Sequence, residues 1–149
     1  MKYSQAEYGR IFVIRLEQGD IIHREVENLA RKEGVQRGVL VLLGGADGGS
    51  RIVVGPEDGE DIRRGMPIMS RVFSGVHETQ GCATLMPDEE GHPILHLHLS
   101  CGRGDGSLTG CGRSGVVVWR YMEAVLLEIQ GCQSRRVEDP ETGFLMLEP

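Results

Sequence analysis

Long apolar runs are missing from this sequence of 149 residues. None of its apolar stretches approaches the roughly 20 residues with which a helix spans a bilayer, and the first residues, MKYSQAEYGR, contain no hydrophobic signal segment. We therefore expect a cytoplasmic protein that makes no contact with a membrane. The length, the apolar fraction of 40% and the charged fraction of 26% predict a single domain over residues 1–149 with one hydrophobic core.

Positive charge is also scarce. The formal net charge is -6 and the isoelectric point is near 5.4, whereas proteins that grip DNA neutralise its phosphates with clustered Lys and Arg. Two local basic spots, Arg63-Arg64 and Arg135-Arg136, are single pairs, and we expect both to be solvated surface. The charge therefore argues against direct DNA binding.

Cysteine is sparse, and the common catalytic motifs are missing. In a cytoplasmic protein the four cysteines are expected to be thiols or metal ligands rather than a disulfide framework. Cys82 and Cys101 alternate with apolar residues, which predicts buried strand thiols.

The glycine-rich segments contain no Lys-Ser/Thr pair of a phosphate loop, and the sequence has no GxSxG elbow. Nucleotide binding of the Walker type and serine catalysis are therefore not expected.

Helix signals are concentrated in one segment near the N-terminus. Asp20 can cap a helix, apolar residues recur at helical spacing from Ile22 to Ala30, and Gly34 can supply a left-handed C-terminal residue. Residues 38–45, GVLVLLGG, form a nearly continuous apolar run, which predicts a strand buried on both faces. The pattern thus predicts one long helix followed by strands.

Strand signals dominate the rest of the chain. Roughly eight strand candidates accompany the one long helix, without regular alternation of strands and helices. This pattern predicts an α+β fold in which a mainly antiparallel β-sheet packs with one long helix and short helical segments.

Two histidines, His96 and His98, lie one residue apart in the apolar run ILHLHLSC. In a strand they project to the same face, while the alternating leucines face a core. The glycine-rich segment 102–110 can fold back as a loop and bring Cys111 to them. Two imidazoles and a thiolate can bind zinc and leave a fourth position for water. The residue types leave a second interpretation open, in which the histidines only form hydrogen bonds and the loop only reverses the chain.

A histidine and a carboxylate also stand together earlier in the sequence, at His77 and Glu78. A carboxylate can orient a metal-bound histidine or act as a base toward a bound water. The alternative is a polar pair at the start of a strand.

Over residues 8 to 147 the sequence resembles the PPC domain, the "plants and prokaryotes conserved" family. The similarity implies an α+β fold with an antiparallel sheet, assembled as a homotrimer, usually with one module per chain in bacteria and archaea. In plants the domain accompanies AT-hooks, which bind the minor groove of DNA, and this sequence contains no such element. The segments that carry the resemblance are RLEQGD, EGVQRGVLVLLGGA, GVHETQGCATLMPDEEGHPILHLHLSCGR, DGSLTGCGRSGVVVWRYMEAVLLEI and DPETGFLML.

The resemblance also implies a metal site. Many prokaryotic members have HxH on this strand and a further histidine in a Gly-Gly-His-Leu turn. Here His96 and His98 match the first two, and Cys111 stands where the third histidine would be. Thiolate is a good zinc ligand, so the resemblance implies a zinc site made of His96, His98 and Cys111.

Three functional hypotheses follow. The first is a homotrimeric module that binds zinc or a small-molecule ligand and has a regulatory or scaffolding role, with a protein partner as a further expectation. The second is a zinc-dependent hydrolase of a small substrate, with Glu78 as base and His77 beside it. The third is a DNA-binding protein, which the acidic charge and the missing AT-hook disfavour.

Overall fold

A computed structural model describes residues 1–60 and 62–149 of the chain. Within these residues the chain forms ten strands, one α-helix and a short 3₁₀ turn. The elements are β1 (Glu7–Glu17), α1 (Ile22–Glu33), β2 (Gly38–Ala46), β3 (Arg51–Pro56), β4 (Ile68–Val72), β5 (His77–Pro87), β6 (Pro93–Arg103), β7 (Gly106–Cys111), the 3₁₀ turn (Gly112–Ser114), β8 (Val118–Gln130), β9 (Arg135–Glu138) and β10 (Leu145–Glu148).

Eight of these strands form one sheet in the order β1-β8-β2-β5-β6-β7-β3-β4, and β9 and β10 form a separate hairpin. Every strand pair in both sheets is antiparallel. The prediction of a mainly antiparallel sheet with a single helix is therefore confirmed for the described part of the chain.

The prediction of a long helix is wrong. Helix α1 has 12 residues, which is about 18 Å at 1.5 Å per residue. Asp20 does not cap it: its carboxylate accepts a hydrogen bond from the Glu17 N–H at 2.8 Å, and the extended residue Ile21 takes the N-cap position. Gly34 ends the helix in the left-handed conformation as predicted, with φ of 70°. Among the described residues, no helix is long and apolar enough to cross a membrane.

The two faces of the eight-stranded sheet differ. One, which we call the closed face, packs against α1 and carries the core. The other is the open face, where Val41 is 49% exposed and Leu43 is 59% exposed. Their strand neighbours Leu40 and Leu42 are buried on the closed face. The prediction that residues 38–45 are buried on both faces is therefore wrong for the isolated chain, because α1 covers one face only.

The cysteines divide between the same two faces. Cys101 is buried in the core, as predicted. Cys82 is exposed, contrary to the prediction. It pairs directly with His98 of β6 and shares the open face with it. Alternation along a strand shows which residues share a face with each thiol. It does not reveal which of the two faces a helix covers.

Candidate metal centre

The structure brings His96, His98 and Cys111 together on the open face. The two histidines are two residues apart on β6, and Cys111 is the last residue of β7. His98 and Cys111 are direct partners in the antiparallel register of these strands. One ligand atom from each of the three residues lies within 4.8 Å of the others. Sheet register, rather than a flexible loop, thus sets the geometry of the cluster.

The predicted loop at 102–110 is wrong, and the difference explains how Cys111 reaches the histidines. Strands β6 and β7 form a hairpin in which Arg103 pairs with Gly106. Gly104 takes a φ of 57° at the turn, a conformation that glycine adopts without steric cost. Glycine-rich composition is typical of loops, but here it forms a strand whose register places Cys111 opposite His98.

Glycines on both sides of Cys111 permit close packing. A Cβ at Gly110 would lie 2.3 Å from the carbonyl oxygen of Val53, so only glycine lets β3 approach β7 at this point. A Cβ at Gly112 would lie 2.9 Å from the side chain of Leu99 on β6. These two contacts fix the backbone before and after the Cys111 thiol.

The three side chains fit a zinc ion. Nitrogen ligands 2.0 to 2.1 Å from a tetrahedral zinc lie about 3.3 Å apart. The Nε2 atoms of His96 and His98 are 3.1 Å apart and form a hydrogen bond with each other, so their separation suits both a hydrogen bond and a shared ion. Their rings meet edge to face, with centroids 5.0 Å apart. Two imidazoles and one thiolate are a donor set that zinc accepts, with a fourth position left for another ligand.

The surroundings of His96 lower the pKa of its imidazole. Partial burial, followed by the positive charges of Arg136, His98 and Arg113, lowers the pKa of His96 below its usual value. A metal binds neutral imidazole and competes with protons for it. The lowered pKa of His96 therefore weakens the competition of protons with a metal ion.

A cavity of about 600 Å³ opens beside the cluster. The three candidate ligands form part of its wall, together with Arg113, Arg136 and apolar side chains of β3, β4 and β10.

Arg136 is 4% exposed, so the prediction that Arg135-Arg136 is solvated surface is wrong for its second member. In a strand, consecutive side chains point to opposite faces, and that alternation is the sequence signal that could have separated the two arginines.

His77 and Glu78 lie away from the cluster. Glu78 pairs with Gly102, four residues along β6 from His98, which is about 13 Å at 3.3 Å per residue. His77 is buried against Phe73, with ring centroids 4.3 Å apart, and its Nδ1 lies 2.8 Å from the carbonyl oxygen of Gly75. The structure thus gives His77 a packing role and does not bring Glu78 to the three ligands.

Comparison with known proteins identifies the fold and the family. The chain is similar to a plant- and prokaryote-conserved (PPC) protein of Pyrococcus horikoshii, at 20% identity and a TM-score of 0.84, over 100% of this chain and 98% of that one. A metal-containing protein of Archaeoglobus fulgidus matches at 17% identity and 0.83, over 100% of both chains. A Bacteroides thetaiotaomicron protein provisionally described as DNA-binding matches at 15% and 0.76, over 97% of this chain and 98% of that one.

These identities establish a common fold and leave function open. No curated protein matches the sequence. The family model of the Plants and Prokaryotes Conserved (PCC) domain matches residues 3–130, a segment that contains the whole His96, His98 and Cys111 cluster. The chain therefore belongs to the Plants and Prokaryotes Conserved domain family.

Proposed function

We propose that this protein is a homotrimeric module that binds a metal ion, with zinc as the first candidate, through His96, His98 and Cys111, and that it has a regulatory or scaffolding role. The convergence of two imidazoles and a thiolate within 4.8 Å carries the proposal. The metal-containing protein of Archaeoglobus fulgidus, which has the same fold, supports it. A zinc ion held by three protein ligands supplies a Lewis-acidic position at which a small ligand can bind.

The chain's own residues prepare the site in two ways. The β6-β7 register and the glycines beside Cys111 hold the donors in place with little freedom to separate. The lowered pKa of His96 weakens the competition of protons with a metal ion. Binding thus requires little rearrangement of the backbone.

The proposed partner in assembly is a second and third copy of this chain, bound through the open face. Register aligns Val13, Val125, Val41 and Cys82 in one row that continues to His98. A broad apolar groove of about 780 Å³ runs along this row. Large exposed apolar patches mark interaction sites on soluble proteins, and the family resemblance implies a trimer. Copies packed on this row would border the metal cluster.

The metal claim is tested by elemental analysis of protein prepared without a histidine tag. We expect about one zinc per chain in the wild type and a loss of most of it in the double variant His96→Ala, His98→Ala. His92→Ala is the matched control, because His92 lies in an exposed turn and contacts Asp88 and Glu90 instead. Metal content that is the same in the double variant and the wild type would refute the metal site.

Light scattering tests the assembly. We expect a mass three times the chain mass of 16.4 kDa, and we expect Val41→Asp to dissociate the particle because it places a charge at a half-exposed position in the apolar row. Val72→Asp, at an exposed position on strand β4 at the end of the sheet, is the control and should leave the mass unchanged. A wild-type monomer at all concentrations would disprove the assembly.

Hydrolysis and DNA binding are not part of this proposal. The hydrolase hypothesis needs a base, and among the described residues neither Asp nor Glu lines the cavity at the cluster. The DNA hypothesis has the provisional description of a neighbour in its favour, but the net charge of -6 opposes it. We expect no retention of an AT-rich duplex at low salt.

A further inference from the structure

We infer that the cavity beside His96, His98 and Cys111 binds a small organic carboxylate with an apolar body. The inference rests on the proposed function, because the metal cluster forms one wall of this cavity. It adds the chemical class of the ligand, which follows from the charges and apolar side chains of the other walls.

A buried cation with an unsatisfied donor is the first observation. Arg136 is 4% exposed and lines the cavity. Its Nη2 donates a hydrogen bond to Thr84 Oγ1 at 2.7 Å, whereas its Nε finds no acceptor among the described residues. A buried charge without a counter-ion is costly, and a guanidinium pairs well with a carboxylate because two parallel hydrogen bonds form. An anionic ligand in the cavity would supply the counter-charge that this guanidinium lacks.

The second observation is that the positive charge is not balanced locally. Arg113 adds another guanidinium to the cavity wall, and among the described residues no acidic side chain lines it. Two carboxylates of the nearby β9-β10 hairpin form ion pairs with other arginines: Glu138 pairs with Arg64, and Glu148 pairs with Arg135. Zinc with two neutral imidazoles and one thiolate would leave one further positive charge. An anion is therefore the ligand that this cavity favours.

Apolar side chains on the remaining walls select an organic anion over inorganic phosphate. Ile68 of β4 and Phe144 and Met146 near the chain end are large, exposed apolar residues that line the cavity. Covering them with a hydrocarbon group removes apolar surface from water, which favours binding. A phosphate ion would leave this wall exposed, whereas a carboxylate on a short alkyl chain satisfies both walls.

Calorimetric titration of the zinc-loaded protein with hexanoate tests the inference. We expect hexanoate to bind at least tenfold more tightly than 1-hexanol, which lacks the charge, and than hexylamine, which has the opposite charge. We also expect it to bind at least tenfold more tightly than acetate, which lacks the apolar body, and than inorganic phosphate. Equal affinity for hexanoate and 1-hexanol, or tighter binding of phosphate, would overturn the inference.

Charge variants assign the effect to the cavity. Arg136→Met should weaken hexanoate binding about tenfold or more, and Arg113→Gln should weaken it severalfold. The control is Arg31→Gln, which removes the same charge from the exposed surface of α1. Because Arg136 is buried, circular dichroism and thermal melting of its variant check the fold. The exposed Arg113 provides a second test if that variant fails to fold.

The design separates failure of the inference from failure of the metal site. Zinc content is measured on the same preparations by elemental analysis. Bound zinc with no preference for hexanoate overturns the carboxylate inference and leaves the metal site intact. Absent zinc refutes the metal site, and the two arginine variants of the metal-free protein then decide carboxylate binding independently. Unchanged hexanoate affinity in both variants overturns the inference in either form of the protein.

Discussion

The closed and open faces of the same sheet differ in what their side chains do. On β2, Leu40 is fully buried on the closed face, while the next residue, Val41, is 49% exposed on the open face. On β6, Leu97 is buried in the core, while His96 and His98 on either side of it are exposed at the candidate metal centre. The fold is stabilised mainly through the closed face, which leaves the open face available for binding.

This division lets one strand serve both purposes. Because side chains alternate along a strand, each candidate ligand on β6 is flanked by leucines that anchor its backbone in the core. Mutations on the closed face should therefore reduce stability, whereas mutations on the open face should change assembly or binding. Substitutions at neighbouring residues on the two faces test that separation.

The largest contrast is expected between two adjacent residues of β2. Leu40→Ala removes a fully buried side chain and should lower the free energy of unfolding by about 3 kcal/mol. Val41→Ala truncates a half-exposed side chain and should lower it by less than about 1 kcal/mol. Urea denaturation of both variants and the wild type, at one protein concentration low enough for the chains to be dissociated, measures the difference. Equal losses would show that the two faces contribute alike.

A smaller, pH-dependent effect is expected from Glu128, a buried carboxylate of β8. Its two oxygens accept hydrogen bonds from the Arg10 guanidinium and backbone N–H, each at 2.9 Å. The pKa of Glu128 is lowered from 4.5 to about 2, and the main cause is the hydrogen bond from the Arg10 side chain. Since the folded-state pKa is depressed, the stabilisation is complete above pH 4.5 and is lost as the pH falls toward 2.

The variant Glu128→Gln checks this account. At pH 7 it should be less stable than the wild type by about 2 kcal/mol, because charge-assisted hydrogen bonds are lost. Urea denaturation at pH 7, 4 and 2.5 should show this gap narrowing as the wild-type carboxylate becomes protonated. Glu25→Gln, on the exposed surface of α1, is the control. A gap that stays constant between pH 7 and 2.5 would contradict the role of the Arg10 pair.

Part of the site could be predicted from local sequence. Alternation alone places His96 and His98 on one face, because they are two residues apart in one strand. Residue types offer Cys111 as a third ligand, and the family resemblance supports that choice. The hairpin that brings Cys111 opposite His98 was not predicted. The glycines of β7 and of the turn before it are equally typical of a loop. Long-range pairing of strands, which local composition does not encode, decides between the two.

The burial of Arg136 and the exposure of Val41 were not predicted for a related reason. Arg136 lies 52 residues along the chain from its hydrogen-bond partner Thr84, so no local pattern shows that they meet. Val41 stands in an apolar run that predicts burial on both faces, and the structure of one chain covers only one of them. The proposed trimer would reconcile the apolar pattern with the open face.

The smallest expected effect, and the most selective test of the metal cluster, concerns two cysteines on either side of His98. Cys82 of β5 and Cys111 of β7 are both its direct register partners. Of the two, only Cys111 falls in the group of possible ligands whose atoms lie within 4.8 Å of one another. Proximity in register alone therefore does not distinguish the proposed ligand Cys111 from Cys82.

Competition with a chromophoric chelator measures zinc affinity in the matched variants Cys82→Ser and Cys111→Ser. Loss of an outer partner of a ligand already costs about 10- to 100-fold in affinity, so loss of the Cys111 thiolate should cost at least about tenfold. Cys82→Ser should change the affinity less than about twofold, because a ligand set without it suffices for an open zinc site. If Cys82→Ser weakened binding as much as Cys111→Ser, the site would require four protein ligands. Its fourth position would then be closed to a small ligand.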